Sequence, residues 1–503
     1  MSAVHRPARR ALPAGRVLLP CAAAWHATAA SAHGFGQRFD LPLPLWLWLT
    51  GAGATIVITF VLMAIFVREA RPLSQYPRSN LLRFAAARAI ANGATATVLR
   101  VLAALLFLLT IAAGLFGNPD PYSNLITTMV WVVWWVGVAF CCALVGDLWS
   151  VINPWANLFA WAERAFAAVT GGRELSLRLP YPAWLGAWPA VLVFLGFAWA
   201  ELIWPDKNVP VRLGEMLAGY SAWTWLGMLA FGREAWLARG EAFTLAFGVL
   251  ARFAPLEFVE TPPPRAMRAL NLRPFGAGLF SPQPVSWSFM VFVILMLATV
   301  TFDGFQETAL MQRVDTAAQT SHAVASLLFD LSEHGLDESI VTHTVTLVAI
   351  VVAFVAIFWA VNWLSLRRGA ASSEPASASA VARSFVLTLV PIAVAYHLSH
   401  YFSLLLTAGQ FVIPLASDPF GRGWNLFGTA GYKVDLAIVS PYVFWYSAVA
   451  IIVLGHVVAV VLAHDVAVRL FGRQALWREV PMVLLMVAYT SLSLWILAQP
   501  IVG

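Results

Sequence analysis

Charge is scarce in this chain. Of its 503 residues 11% are charged and 60% hydrophobic, and the mean hydropathy is +0.76. A soluble protein of this length would have to hide that apolar surface in several separate cores. A bilayer removes the need. Lysine is nearly absent: Lys207 and Lys433 are the only two among 31 basic residues. No GxxxxGK[ST] loop occurs either, so a nucleotide-driven pump has no phosphate cradle here. The three cysteines form no CxxC pair, and adjacent Cys141 and Cys142 are poorly placed to bridge each other. A GxSxG elbow is also missing, which leaves serine-hydrolase chemistry without a motif. The net charge of +6 is carried by short arginine clusters between apolar runs. That arrangement encodes topology and is no nucleic-acid patch.

What the chain has in abundance is apolar runs. They fall near 43–67, 98–117, 125–148, 183–204, 210–231, 285–303, 340–365, 384–406, 438–462 and 480–498, each close to the ~20 residues that cross the hydrocarbon core as helix. The expected fold is an all-α polytopic membrane helix bundle of about ten transmembrane helices, one membrane domain over 33–503. Residues 1–32 read as a secretory signal peptide. Arg6, Arg9, Arg10 and Arg16 open it, Val17 to Ala24 are apolar, and Ala30-Ser31-Ala32 offers a cleavage site. The mature chain would then begin at His33. Alternate loops carry 21 basic residues on one side and six on the other. The positive-inside rule places the richer side in the cytoplasm, with both mature termini outside a bacterial inner membrane.

Three stretches are amphipathic. Residues 243–253 are expected to lie in the interface, with Trp236, Phe243, Phe247 and Leu250 toward lipid. Residues 155–166 look similar, with Asn153 as cap and Pro154 in the first helical position. Outside, 308–332 forms either a lid over a cavity or a helix resting on the membrane. Small residues between Gly369 and Ser379 suggest a cytoplasmic linker. The 23 tryptophans, among them Trp46, Trp48, Trp149, Trp204, Trp287 and Trp359, fit an aromatic belt.

Ionisable groups in a bilayer are costly, so their depth is informative. Asp303 and Glu307 share a helix face at the end of the sixth run. His397 and His400 share one in the eighth, flanked by Tyr396 and Tyr401. His343, Glu201 and Glu215 fall at a similar outer depth, on the side of His33. Imidazoles and carboxylates gathered so suit a divalent transition metal, zinc or copper, with Asp303 or Glu307 as third ligand or as general base. A free amino terminus at His33 can chelate copper; an ordinary processed terminus is the plainer reading. Asp147 and His456 are expected to satisfy each other deeper in the membrane.

Four strings carry a resemblance: HGFGQRFDLPLPLWLW (33–48), YHLSHYFSLLL (396–406), SDPFGRGWNLFG (417–428) and GHVVAVVLAHD (455–465). They resemble a group of polytopic bacterial membrane proteins named fenitrothion hydrolase. The resemblance implies hydrolysis of the aryl–phosphate bond of an organophosphorus triester, and assigns no residue a role. Three functions therefore stand side by side. One is a metal-assisted hydrolase opening to the periplasm, with an apolar small-molecule substrate arriving through lipid. The second is a transporter, with broken helices and a midplane site. The third is a non-catalytic metal-handling subunit built on His33. The sequence leaves the oligomeric state open.

Overall fold

The computed structural model describes residues 43–67, 76–260, 268–281, 283–367 and 377–499. The expected signal peptide, His33 and most of the 369–379 linker lie outside these residues. The principal helices are α1 (Leu45–Phe66), α2 (Gly93–Phe116), α3 (Leu125–Leu144), α4 (Pro154–Thr170), α5 (Trp188–Leu202), α6 (Pro210–Phe231) and α7 (Ala242–Phe253). They continue with α8 (Trp287–Gln306), α9 (Ala309–Thr320), α10 (His322–Glu333), α11 (Glu338–Arg367), α12 (Val390–Thr407), α13 (Pro441–Phe471) and α14 (Ala475–Leu497).

Their starts are encoded locally. Asn92 accepts the Thr95 amide at the head of α2, Ser286 that of Phe289 at α8, and Ser440 that of Val443 at α13, where Pro441 follows. Each side chain satisfies one of the amides a helix leaves unpaired.

Seven helical stretches are long and apolar enough to cross a membrane. They are α1, α2, α3, α8, α11, Ala378–Ser417 around α12, and Pro441–Leu497, which holds α13 and α14 packed along each other. Helix α5 is apolar but shorter, and α6 is long but less apolar. Val57, Ile58, Val61, Leu62 and Ile65 stand exposed on α1, whereas α8 is buried along most of its length between α5, α11, α12 and α14. Bare apolar helices around a buried central one are the build of a multi-pass membrane protein.

The helix at 242–253 departs from expectation. Phe243, Phe247, Leu250 and Trp236 turn into protein and are all nearly inaccessible. Phe243 lies 4.4 Å from Trp134 and 4.9 Å from Phe197, centroid to centroid. Trp155 and Phe159 of α4 join the same core, and so does Trp149, which is no belt residue. Apolar periodicity selects the face but not what covers it, and aromatic side chains cover each other here.

Asp147 and His456 do not meet. Asp147 Oδ1 accepts the Ser150 amide, and His456 Nδ1 lies 2.8 Å from the Ile452 carbonyl of its own helix. Residues 308–332 divide at Ser321 into α9 and α10, which bury Met311 and Leu328.

A small sheet was not foreseen. Strands β1 (Ser79–Asn80), β2 (Leu256–Glu260) and β3 (Arg268–Leu272) pair antiparallel in the order β1-β3-β2. Glu257 ties it down, accepting from Arg78 Nε at 2.9 Å and from the buried Arg273.

Two helices are irregular where the site forms. Met129–Val138 of α3 winds with wide π-helical turns, and tighter 3₁₀ turns at Val386–Leu389 and Ala408–Phe411 bracket α12. Tight 3₁₀ turns are common at helix ends, and π-helical turns inside a helix are frequent at functional positions.

Candidate functional site

Three helices bring ionisable side chains to one place. Glu201 comes from the last turn of α5, Asp303 from the last turn of α8, and His400 with Tyr401 from the middle of α12. The centre is Asp303, 1% exposed. Its Oδ2 lies 2.9 Å from His400 Nε2 and accepts the Tyr401 hydroxyl at 2.7 Å. Its Oδ1 accepts Gln306 Nε2 at 3.2 Å. Tyr401 also stands 3.3 Å from Glu201 Oε1. Its single proton therefore serves the nearer Asp303 and leaves Glu201 the longer contact.

Two carboxylates this close need positive charge. Lys207, in the turn after α5, is buried, donates to the Leu202 carbonyl at 3.4 Å, and feels Asp303, Glu201 and Glu307. Burial pulls the Lys207 ammonium below the ordinary lysine range, and the three carboxylates offset part of that fall. Glu307, just past α8, is half-buried within electrostatic reach of Asp303, Lys207 and His400.

His397 lies among aromatic rings, within electrostatic reach of His400 and Asp303. Its ring lies 5.6 Å from Trp135, 6.0 Å from Phe140 and 4.7 Å from Tyr401, and its buried Nε2 has no partner among the described residues. Trp135, from the π-helical stretch, also stands beside Glu201. The irregular turns of α3 thus put one indole against both an imidazole and a carboxylate.

Two residues of similar depth are elsewhere. His343 Nε2 faces Asp315 of α9 at 3.5 Å, and Glu215 is exposed, paired with Arg212 at 2.9 Å. His33 lies outside the described residues. Sequence reasoning used Tyr401 only as a flank and Lys207 only for topology. A signal was present for both: Tyr401 is four residues from His397, and Lys207 is one of two lysines, six residues after Glu201.

A second buried pair links α13 and α14 away from this centre. His464 Nδ1 lies 2.7 Å from Glu479 Oε2, and its Nε2 lies 2.8 Å from the Val67 carbonyl. It locks three segments together with both ring nitrogens occupied.

The main site can move a proton and hold the charge that results. Asp303 stabilises a protonated His400, Tyr401 connects two carboxylates, and Lys207 offers a fixed cation. Among the described residues, no three His, Cys, Asp or Glu side chains assemble as a group that would hold a metal ion. Comparison with protein-family models, with curated proteins and with solved structures gives no match.

Proposed function

We propose that this chain is a bacterial inner-membrane protein of about ten crossings, both mature termini periplasmic. Its His400–Asp303–Tyr401–Glu201 network is a general acid–base site that hydrolyses an ester of an apolar substrate arriving through lipid. The observation that carries this reading is the shared Asp303 oxygen, 2.9 Å from His400 and 2.7 Å from Tyr401. His400 takes a proton from water as its oxygen attacks the ester centre, and Asp303 holds the imidazolium. The leaving alkoxide or phenoxide departs as its bond to that centre breaks, and receives the same proton back from His400. Lys207 supports the oxygen on which negative charge builds. The resemblance to fenitrothion hydrolases favours an organophosphorus triester as the ester class.

A zinc or copper form of this site would need a ligand from beyond the described residues, and His33 is the candidate. Metal analysis of purified protein before and after chelation tests it: retained stoichiometric metal that His33→Ala removes supports it, and metal-free active protein overturns it.

The direct test of hydrolysis is release of a nitrophenol from an aryl phosphotriester by protein in lipid nanodiscs. His400→Gln lowers kcat about 100-fold or more, the scale of a lost general base, while leaving membrane insertion intact. Folded wild-type protein without turnover overturns the hydrolase reading. The interrupted helices around α12 and the π-helical turns of α3 favour one alternative, a transporter that uses the same network as a proton relay. Proton-coupled uptake into proteoliposomes, without ester cleavage, would identify that alternative.

A further inference from the structure

Among the polar atoms deep in the bundle that have no hydrogen-bond partner in the described residues are Tyr396 Oη and His456 Nε2. Both residues are 1% exposed. The His456 tautomer follows from its other nitrogen. Nδ1 faces the Ile452 carbonyl at 2.8 Å, and a carbonyl only accepts, so Nδ1 carries the proton and Nε2 presents a bare lone pair. Leaving a buried donor or acceptor without a partner is costly. Buried polar atoms of this kind are normally met by a protein group or by ordered water.

Tyr489 of α14 stands near both residues. Its ring lies 6.2 Å from that of His456, its hydroxyl meets Thr301 Oγ1 of α8 at 2.6 Å, and it stands within electrostatic reach of Tyr396. Buried Ser493 faces Tyr489 one turn further along. Glycine makes the approach possible. A methyl on Gly304 would come within 2.6 Å of the Tyr396 hydroxyl, and one on Gly455 within 2.3 Å of Ala395. So α8, α12, α13 and α14 converge on a run of hydroxyls ending at an imidazole. The run begins at the acid–base site, where the Tyr396 and His400 rings lie 6.0 Å apart and Tyr396 feels Asp303.

The chemistry selects the occupant. The ring facing His456 is that of Tyr489 from α14, and α1, which also packs on α13, carries no titratable residue. Hydroxyls and one lone pair, without a carboxylate among them, suit a neutral donor–acceptor rather than a cation. Water with two to four polar partners meets that description. We propose that internal water occupies the run from Tyr396 through Tyr489 and Ser493 to His456, and that this arm supplies the water His400 activates. The supply role rests on the acid–base reading; the presence of water does not.

Pulsed hydroxyl-radical labelling in 18O-water, on the full chain in nanodiscs, reads buried water directly. Tyr489 and His456 are expected to label at least tenfold faster than Phe292 and Phe302, both fully buried. Labelling at or below the rate of those phenylalanines overturns the water. His456→Phe, which removes the terminal lone pair, should slow labelling of Tyr489 severalfold in folded protein; unchanged labelling also overturns it. The same variant should slow ester turnover. Labelled water with wild-type turnover in His456→Phe removes the supply role and leaves the acid–base site standing. Labelled water in a protein that cleaves no ester removes the acid–base reading alone.

Discussion

Asp303, His400 and Glu201 were legible in the sequence because ionisable residues stand out against an apolar background and their depth can be counted. Depth alone misassigned their neighbours. Glu215 finds Arg212 three residues away, His343 faces Asp315, and His397 turns to aromatic rings. Direction around a helix axis decides such partners, and a single chain read by depth does not contain it. Gly304 shows how fine the residue scale is. Its hydrogen faces both the Tyr396 hydroxyl and Ile496, which an added methyl would meet at 2.6 Å and 2.4 Å. Gly304→Ala should therefore cost about 1–3 kcal/mol through overpacking. Thermal unfolding in detergent measures it, and an unchanged midpoint would mean that α8 and α12 are less tightly joined than described.

Among elements, the helix starts and the apolar runs were readable, because caps and composition are local. The placement of α7 was not. Lipid and protein interior are both apolar, so a moment toward one is a moment toward the other. Trp236, in the short helix Arg233–Leu237 just before α7 and expected on the same lipid-facing side, makes the difference measurable, since its indole is held between Gly227 and Gly240, where an added methyl would fall within 2.2 Å and 2.5 Å of the ring. Trp236→Ala should destabilise by about 3–5 kcal/mol, as for a large aromatic lost from a core; an interfacial tryptophan would cost far less. The small sheet escaped notice because its strands are short and one comes from a distant loop. Burial raises the Glu257 pKa, but Arg78 and Arg273 outweigh it and hold the carboxyl below its ordinary 4.5. A depressed carboxylate stabilises fully above the unfolded value and loses that contribution as pH falls through the folded one. Amide exchange in β2 and β3 should thus accelerate below about pH 4.5, and Glu257→Gln should flatten that dependence.

At the scale of the whole molecule, arginine asymmetry and apolar exposure agree on a chain built for a bilayer. The crossing count rests on α5 and α6, which are shorter or less apolar than the seven strongest stretches. If both cross, a reporter in 417–428 is periplasmic and one at 472–474 is cytoplasmic; the reverse would remove the ten-crossing topology and the outward-facing site with it. That site is the centre of the account, and its claim is that His400 and Asp303 act as one unit. Groups that act as a unit are non-additive in their loss. The measurement that tests this most directly is a double-mutant cycle on ester cleavage in nanodiscs with His400→Gln, Asp303→Asn and the pair. The double variant is expected to be no slower than His400→Gln alone. A double variant slowed by the product of the two single effects would contradict it.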